Sequence, residues 1–138
     1  MKKITVETTL TSPIEKVWDC WTLPKHITQW NFASDNWCCP EASNDLKVGG
    51  KFNWRMESKD GVMGFDFEGI YQKITQFECI SYKMPDGRLV EIEFLKKGNE
   101  ILVRETFDME NMHSEEQQRA GWQAILENFK KHAETIDD

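Results

Sequence analysis

Residues 114–136, SEEQQRAGWQAILENFKKHAETI, form the feature that most constrains the fold. Trp122, Ile125, Leu126, Phe129, Ala133 and Ile136 recur at helical spacing and mark one apolar face. Ser114 and Gln117 stand in capping-box spacing, and Glu115 and Glu116 follow in the first turn. Lys130, Lys131 and His132 sit near the end, where a helix dipole favours cations. A helix running through Thr135 would be roughly 33 Å long, enough to cross a small sheet. A run of strand-like segments precedes it, so the expected shape is a sheet wrapped around one terminal helix.

The strands are read from period-two alternation and turn chemistry. Residues 3–11 alternate Ile4, Val6, Thr8 and Leu10 against polar neighbours. Ser12 is the expected N-cap and Pro13 the first position of a short helix, whose stripe is Ile14, Val17, Trp18 and Trp21. Pro24 opens a second short helical piece carrying Ile27 and Trp30. Residues 31–44 are less regular and are expected to be a short strand or an ordered loop. Strands are expected over 51–57, 64–74, 77–84, 89–96 and 101–108. Asp60-Gly61, Pro85-Asp86-Gly87 and Gly98-Asn99 supply the turns between them. Tight turns at this spacing predict an antiparallel meander. Residues 1–138 are therefore expected to form one domain of the α+β class, and 138 residues suffice to bury a core.

One face of the meander carries Phe52, Trp54, Met56, Phe65, Phe67 and Tyr71. The other carries Asn53, Arg55, Glu57, Asp66, Glu68, Glu91, Glu93 and Arg104, which reads as a solvated face with cross-strand ion pairs. Glu105 shares parity with Ile101, Val103 and Phe107 and is the one acid able to face inward. A salt bridge or a bulge-shifted, exposed position is the expectation for it.

Charge and motif content exclude several function classes. A net charge of -7 repels a phosphate backbone, and no basic run interleaves with aromatics, so nucleic acid is not an expected partner. No apolar stretch approaches the ~20 residues of a membrane span. The first ten residues lack an apolar signal core, so a cytoplasmic location is expected. Cys20, Cys38, Cys39 and Cys79 contain no Cys-x-x-Cys pair, and His26, His113 and His132 do not complete a zinc pattern. The thiols are read as reduced and mostly buried, and the histidines as scattered and exposed. His113 is the histidine best placed to approach a pocket mouth. No nucleophile elbow, phosphate loop or metalloprotease helix is present. No catalytic residue, metal or cofactor is implied.

The order of motifs carries a resemblance. Pro13-Ile14-Glu15-Lys16-Val17-Trp18, followed by Trp21-Thr22 and Trp30, resembles the opening of the START-like SRPBCC superfamily. Asp45-Leu46-Lys47-Val48-Gly49-Gly50-Lys51-Phe52 is similar to its second signature, a Gly-Gly turn before a central strand. Gly69, the Gly87 hairpin and Gly121-Trp122 complete the match. Within the superfamily the chain resembles the branch named for the activator of the 90-kDa heat-shock-protein ATPase. The resemblance implies a helix-grip fold: a curved antiparallel sheet around a long C-terminal helix, with two short N-terminal helices and a pocket between sheet and helix. It implies activities as varied as small-molecule binding, polyketide cyclisation and co-chaperone action, because a shared fold does not select one. The co-chaperone that names the branch carries a further N-terminal domain. This sequence starts at its first strand, which sets the expectation against a full ATPase-activator role.

The leading expectation is non-catalytic binding of a hydrophobic or aromatic small molecule in that pocket. The candidate contacts are Trp30, Phe32, Trp37, Phe52, Trp54, Met56, Phe65, Phe67, Tyr71, Tyr82, Gly121, Trp122, Ile125 and Leu126. Trp30, Phe32 and Trp37 are expected at its mouth. Core packing is the competing role for each aromatic. Gly121 costs ~1 kcal/mol relative to Ala in a helix, and either close packing or room for a ligand would explain it. The alternatives are a protein-interaction module with a chaperone partner and a polyketide-cyclase-type enzyme. The expected assembly is a monomer or weak dimer.

Overall fold

The computed structural model describes residues 2–136. The described elements run β1 (Lys3–Leu10), α1 (Ile14–Thr22), α2 (Pro24–Trp30), β2 (Trp37–Asn44), β3 (Lys51–Ser58), β4 (Gly64–Thr75), β5 (Cys79–Lys83), β6 (Leu89–Lys97), β7 (Glu100–Asp108) and α3 (Glu115–Thr135). The strands form one curved antiparallel sheet in the order β1-β7-β6-β5-β4-β3-β2. From β2 to β7 the chain is a meander. The helical pair α1–α2 carries it from β1, at one edge, to β2 at the other. This is the helix-grip fold that the resemblance implied.

The pleat places Ile4, Val6 and Leu10 of β1, Phe52, Trp54 and Met56 of β3, and Val90, Ile92 and Phe94 of β6 in the core. Gly69 of β4 lies opposite Phe52 because nothing larger fits. A Cβ there would stand 2.7 Å from the Phe52 ring and 3.0 Å from the Lys83 carbonyl oxygen. The edge strand β2 holds Pro40 and a register shift between Cys38 and Glu41. Both features suit an edge, where a missing N–H leaves no ladder bond broken.

The aromatic centre of the core joins the helices to the sheet. Trp21 and Trp30 both meet Phe129 of α3 edge-on, at 4.9 and 5.1 Å between ring centroids. Trp30 also packs against Trp54 at 6.1 Å and donates its indole N–H to the Cys20 carbonyl at 2.8 Å. That bond lets a large polar-tipped ring be buried without an orphan donor. The α3 capping box is complete: Ser114 Oγ accepts from the Gln117 N–H, and Gln117 Oε1 accepts from the Ser114 N–H.

Three local readings are corrected. Ser12 makes no cap, and α1 begins at Ile14. The Ser12 hydroxyl instead donates to the Ala133 carbonyl near the end of α3, at 3.3 Å. Phe77 belongs to the β4–β5 turn rather than to a strand, with φ +66. A bulky residue adopts that conformation at a cost, and its ring meets Trp18 edge-on at 5.9 Å. Among the described residues Glu105 has no salt-bridge partner, and it is not bulge-shifted. The β7 register is continuous past Val6 and Ile92, and the side chain is 6% exposed.

Candidate functional site

A cleft of about 520 Å³ opens between the sheet and α3. Strands β3 and β4 supply Met56, Phe65, Asp66, Phe67 and Glu68. The β5–β6 turn supplies Met84, Pro85, Asp86 and Arg88. The loop before α3 supplies Glu110 and His113, and α3 itself supplies Gln117, Gln118, Gly121, Trp122 and Ile125. Asn31 and Ala33, just past α2, complete the lining. Two other depressions of similar volume are rimmed by Lys25, Glu41 and Arg55 and by Lys51, Gln72 and Lys83. They lie on charged surface and lack the aromatic wall of the first.

That wall is built by stacking. Trp122 lies flat on Phe107, and Phe67 meets Trp122 edge-on at 6.2 Å. Behind Phe67, Trp54 packs edge-on at 5.8 Å. The Trp54 indole N–H is buried with no hydrogen-bond partner among the described residues. Beside Trp122 on the same helix, Gly121 leaves open space in the lining. A Cβ built there meets nothing within 4 Å. Close packing of helix on sheet therefore does not explain this glycine.

The polar rim is held by local bonds. Buried Gln118 ties down the loop at 110–113: its Oε1 accepts from the Glu110 N–H at 3.0 Å. Its amide donates to the Glu110 and His113 carbonyls at 3.0 and 2.9 Å. The Glu110 carboxylate accepts from the backbone N–H groups of Met112 and His113 and lies 3.1 Å from His113 Nδ1. Partial desolvation would raise its pKa, but these bonds win and hold the carboxyl below its ordinary range. Across the rim, Arg88 donates to Asp86 at 2.7 Å within the Gly87 turn. The rim thus carries Asp66, Glu68, Asp86 and Glu110 against Arg88 and His113, an acid-rich mouth over an apolar floor.

Of the residues singled out in the sequence, Met56, Phe65, Phe67, Gly121, Trp122 and Ile125 meet in this cleft. Trp30, Phe52, Trp54, Tyr71, Tyr82 and Leu126 lie in the packed core instead. Phe32 and Trp37 are half-buried against that core. Trp37 does not line the cleft but packs on Phe65, which does, at 5.8 Å between rings. The Tyr71 hydroxyl donates a hydrogen bond to Asn44 Oδ1. Sequence reading missed Asn31, Ala33, Met84, Arg88, Gln117 and Gln118. They sit just past the end of α2, in the β5–β6 turn and in the first turn of α3, where no periodicity marks one side chain over another. The Pro85-Asp86-Gly87 signal located the turn without showing that it borders a cleft.

Two buried ionisable groups lie off the cleft. Desolvation pushes the Glu105 carboxyl up to about 8. Desolvation likewise raises the Tyr82 phenol, and the nearby Glu105 charge raises it further. Neither residue lines the cleft, so neither is placed to exchange a proton with an occupant. The histidine reading is corrected in part. His113 is exposed, but His26 and His132 are half-buried and face each other, Nδ1 to Nε2, at 2.9 Å. No disulfide joins cysteines among the described residues. No helix there is long and apolar enough to cross a membrane.

Comparison with known proteins agrees with this architecture. An AHSA1-like protein of Aeromonas hydrophila, solved by NMR, is 39% identical over 99% of each chain, with a TM-score of 0.90. A protein of Cytophaga hutchinsonii, also a solution structure, is 47% identical over 96% of this chain and 92% of that one, with a TM-score of 0.84. The Aha1 dimer of Colwellia psychrerythraea shares the fold at 15% identity, covering 98% of each chain with a TM-score of 0.73. No curated protein matches at a significant level. The family model for Activator of Hsp90 ATPase homolog 1-like proteins matches residues 11–134. The chain belongs to that family, within the START-like SRPBCC group.

Proposed function

We propose that the cleft binds a flat, largely apolar small molecule without chemically changing it. The observation that carries this reading is the open space at Gly121 in a cleft of about 520 Å³ that Phe67 and Trp122 also line. Ligand sites commonly measure ~300–1,000 Å³ and combine apolar walls with a few polar groups. Burial of the occupant supplies about 25 cal/mol per Å² of apolar surface before the costs of association. The acid-rich rim favours a neutral or cationic aromatic over a fatty acid, whose carboxylate would meet Glu68 and Glu110.

The test is native mass spectrometry of the purified chain followed by thermal-shift titration. Neutral and cationic planar aromatics are compared with long-chain fatty acids. Stabilisation by the aromatics, absent in Gly121→Leu, supports the reading. Equal responses from the wild type and Gly121→Leu would sink it.

A second reading is a co-chaperone-type interaction module, which family membership supports. Val62, Met63 and Phe65, at the β3–β4 hairpin, are 79%, 61% and 51% exposed. Adjacent exposed apolar side chains of this size suit a protein contact. Binding of an Hsp90-class chaperone that is lost on changing all three to Ser would favour this reading. Sedimentation would decide between a monomer and a weak dimer.

A further inference from the structure

We propose that Cys20, His26 and His132 form a binding site for one zinc ion that ties the terminal helix to the N-terminal helical pair. The three residues come from α1, α2 and α3 respectively, and one ligand atom of each lies within 4.8 Å of the other two. The cluster is separate from the cleft, since none of its members lines it.

The spacing of the two imidazoles is close to that of a tetrahedral site, and the thiol stands within reach of both. Zn–N distances of about 2.0–2.1 Å at a tetrahedral angle place two nitrogens roughly 3.3 Å apart. Zn–S of about 2.3 Å places sulfur and nitrogen roughly 3.6 Å apart. His26 Nδ1 and His132 Nε2 stand at 2.9 Å, with ring centroids 5.1 Å apart and planes at 59°. The two nitrogens need to part by only a few tenths of an ångström for an ion to replace the proton between them. Cys20 is the buried member, with its sulfur within 4.8 Å of a ring nitrogen of each histidine, while both imidazoles are only half-buried. Entry is therefore from the imidazole side, and water can fill the fourth position.

The chemistry of the set selects the ion. Two imidazoles and a thiol suit borderline-soft transition metals and disfavour magnesium or calcium. Coordination requires neutral imidazoles and a thiolate. Lys16 is the nearby cation that would oppose an incoming ion, and its ammonium is engaged with the Ile136 carbonyl at 2.6 Å. Binding exchanges the thiol proton for the metal: a Zn–S bond forms, the S–H bond breaks, and the proton leaves to solvent. The imidazole that donates in the His26–His132 bond moves its proton to its other ring nitrogen. The result is one cross-link among three helices, added to the packing and the few hydrogen bonds that already join them.

The experiment titrates the metal-free chain with zinc(II) against a chromogenic chelator. Cobalt(II) serves as the spectroscopic stand-in. One ion per chain is expected, with a sulfur-to-cobalt charge-transfer band and a rise in melting temperature on zinc addition. His26→Gln and His132→Gln should each weaken binding by about a hundredfold or more, since changes even beyond the ligands cost 10–100-fold. Cys20→Ser should remove the charge-transfer band, and Cys38→Ser with Cys79→Ser should change nothing. If Cys20→Ser does not fold, the two half-buried histidine variants still decide. Absence of saturable one-to-one binding, or wild-type affinity in both histidine variants, overturns the proposal.

Discussion

The Trp122 indole lies on the Phe107 ring with centroids 3.9 Å apart and planes 11° from parallel. This contact fixes α3 against β7 and sets one wall of the cleft. Trp122→Ala should lose about 2–3 kcal/mol, at or below the lower end of the ~3–5 kcal/mol for removing a buried large aromatic, because the indole is only half-buried. Trp122→Phe should retain most of the stability. Urea unfolding, followed by circular dichroism so that Trp loss does not distort the signal, checks both values.

Gly121 separates the demands of the helix from those of the cleft. Because a Cβ meets nothing there, Gly121→Ala should stabilise the chain by about 0.5–1 kcal/mol through helix propensity and a restricted unfolded state. Gly121→Leu should also fold, and its side chain should occupy the cleft. Denaturant midpoints of the two variants test this. A large destabilisation in Gly121→Ala would show that the glycine packs against something.

Glu105 makes stability depend on pH in the direction opposite to a salt-bridged acid. Its folded pKa is about 8 against an ordinary 4.5, so the folded chain binds the extra proton between those values. The neutral carboxyl carries no penalty below about pH 4.5. Stability then falls by up to about 1.4 kcal/mol per pH unit until the penalty is complete above about pH 8. Glu105→Gln should remove this slope while keeping the shape of the side chain. Urea midpoints of both proteins at pH 5.5 and pH 8 provide the measurement.

Gln118 is the support of the rim. Replacing it with Leu leaves the Glu110 N–H and the Glu110 and His113 carbonyls without their partner. The expected cost is about 1–3 kcal/mol, reduced to the extent that water reaches the loop. Amide exchange should quicken at Glu110 while the α3 core amides keep their order of protection. Unchanged exchange at Glu110 would show that the loop holds itself.

Local rules account for much of what could be read in advance. The 3.6-residue stripe and capping box placed α3, because both depend on neighbours within four positions. Turn residues separated the strands, and parity put Phe52, Trp54 and Met56 inward. Parity reports which side of a sheet a residue occupies but not how deep it sits beneath the next layer. Phe65 and Phe67 therefore share a face with Tyr71, yet Phe65 is exposed and Tyr71 lies in the core. Ser12 followed the local capping preference on paper and lost it to the Ala133 carbonyl, 121 residues away.

The sequence by itself determined the element order, the membership of the sheet's two faces and the amphipathic helix that the sheet grips. Those are consequences of short-range sterics and of the segregation of apolar from polar side chains. Tertiary structure alone decided which aromatics line an opening and which fill the core, because that depends on how far α3 stands from β4. It also decided that His26 and His132, 106 positions apart, meet beside Cys20. No local pattern encodes such a meeting, since it follows from three helices packing on one curved sheet.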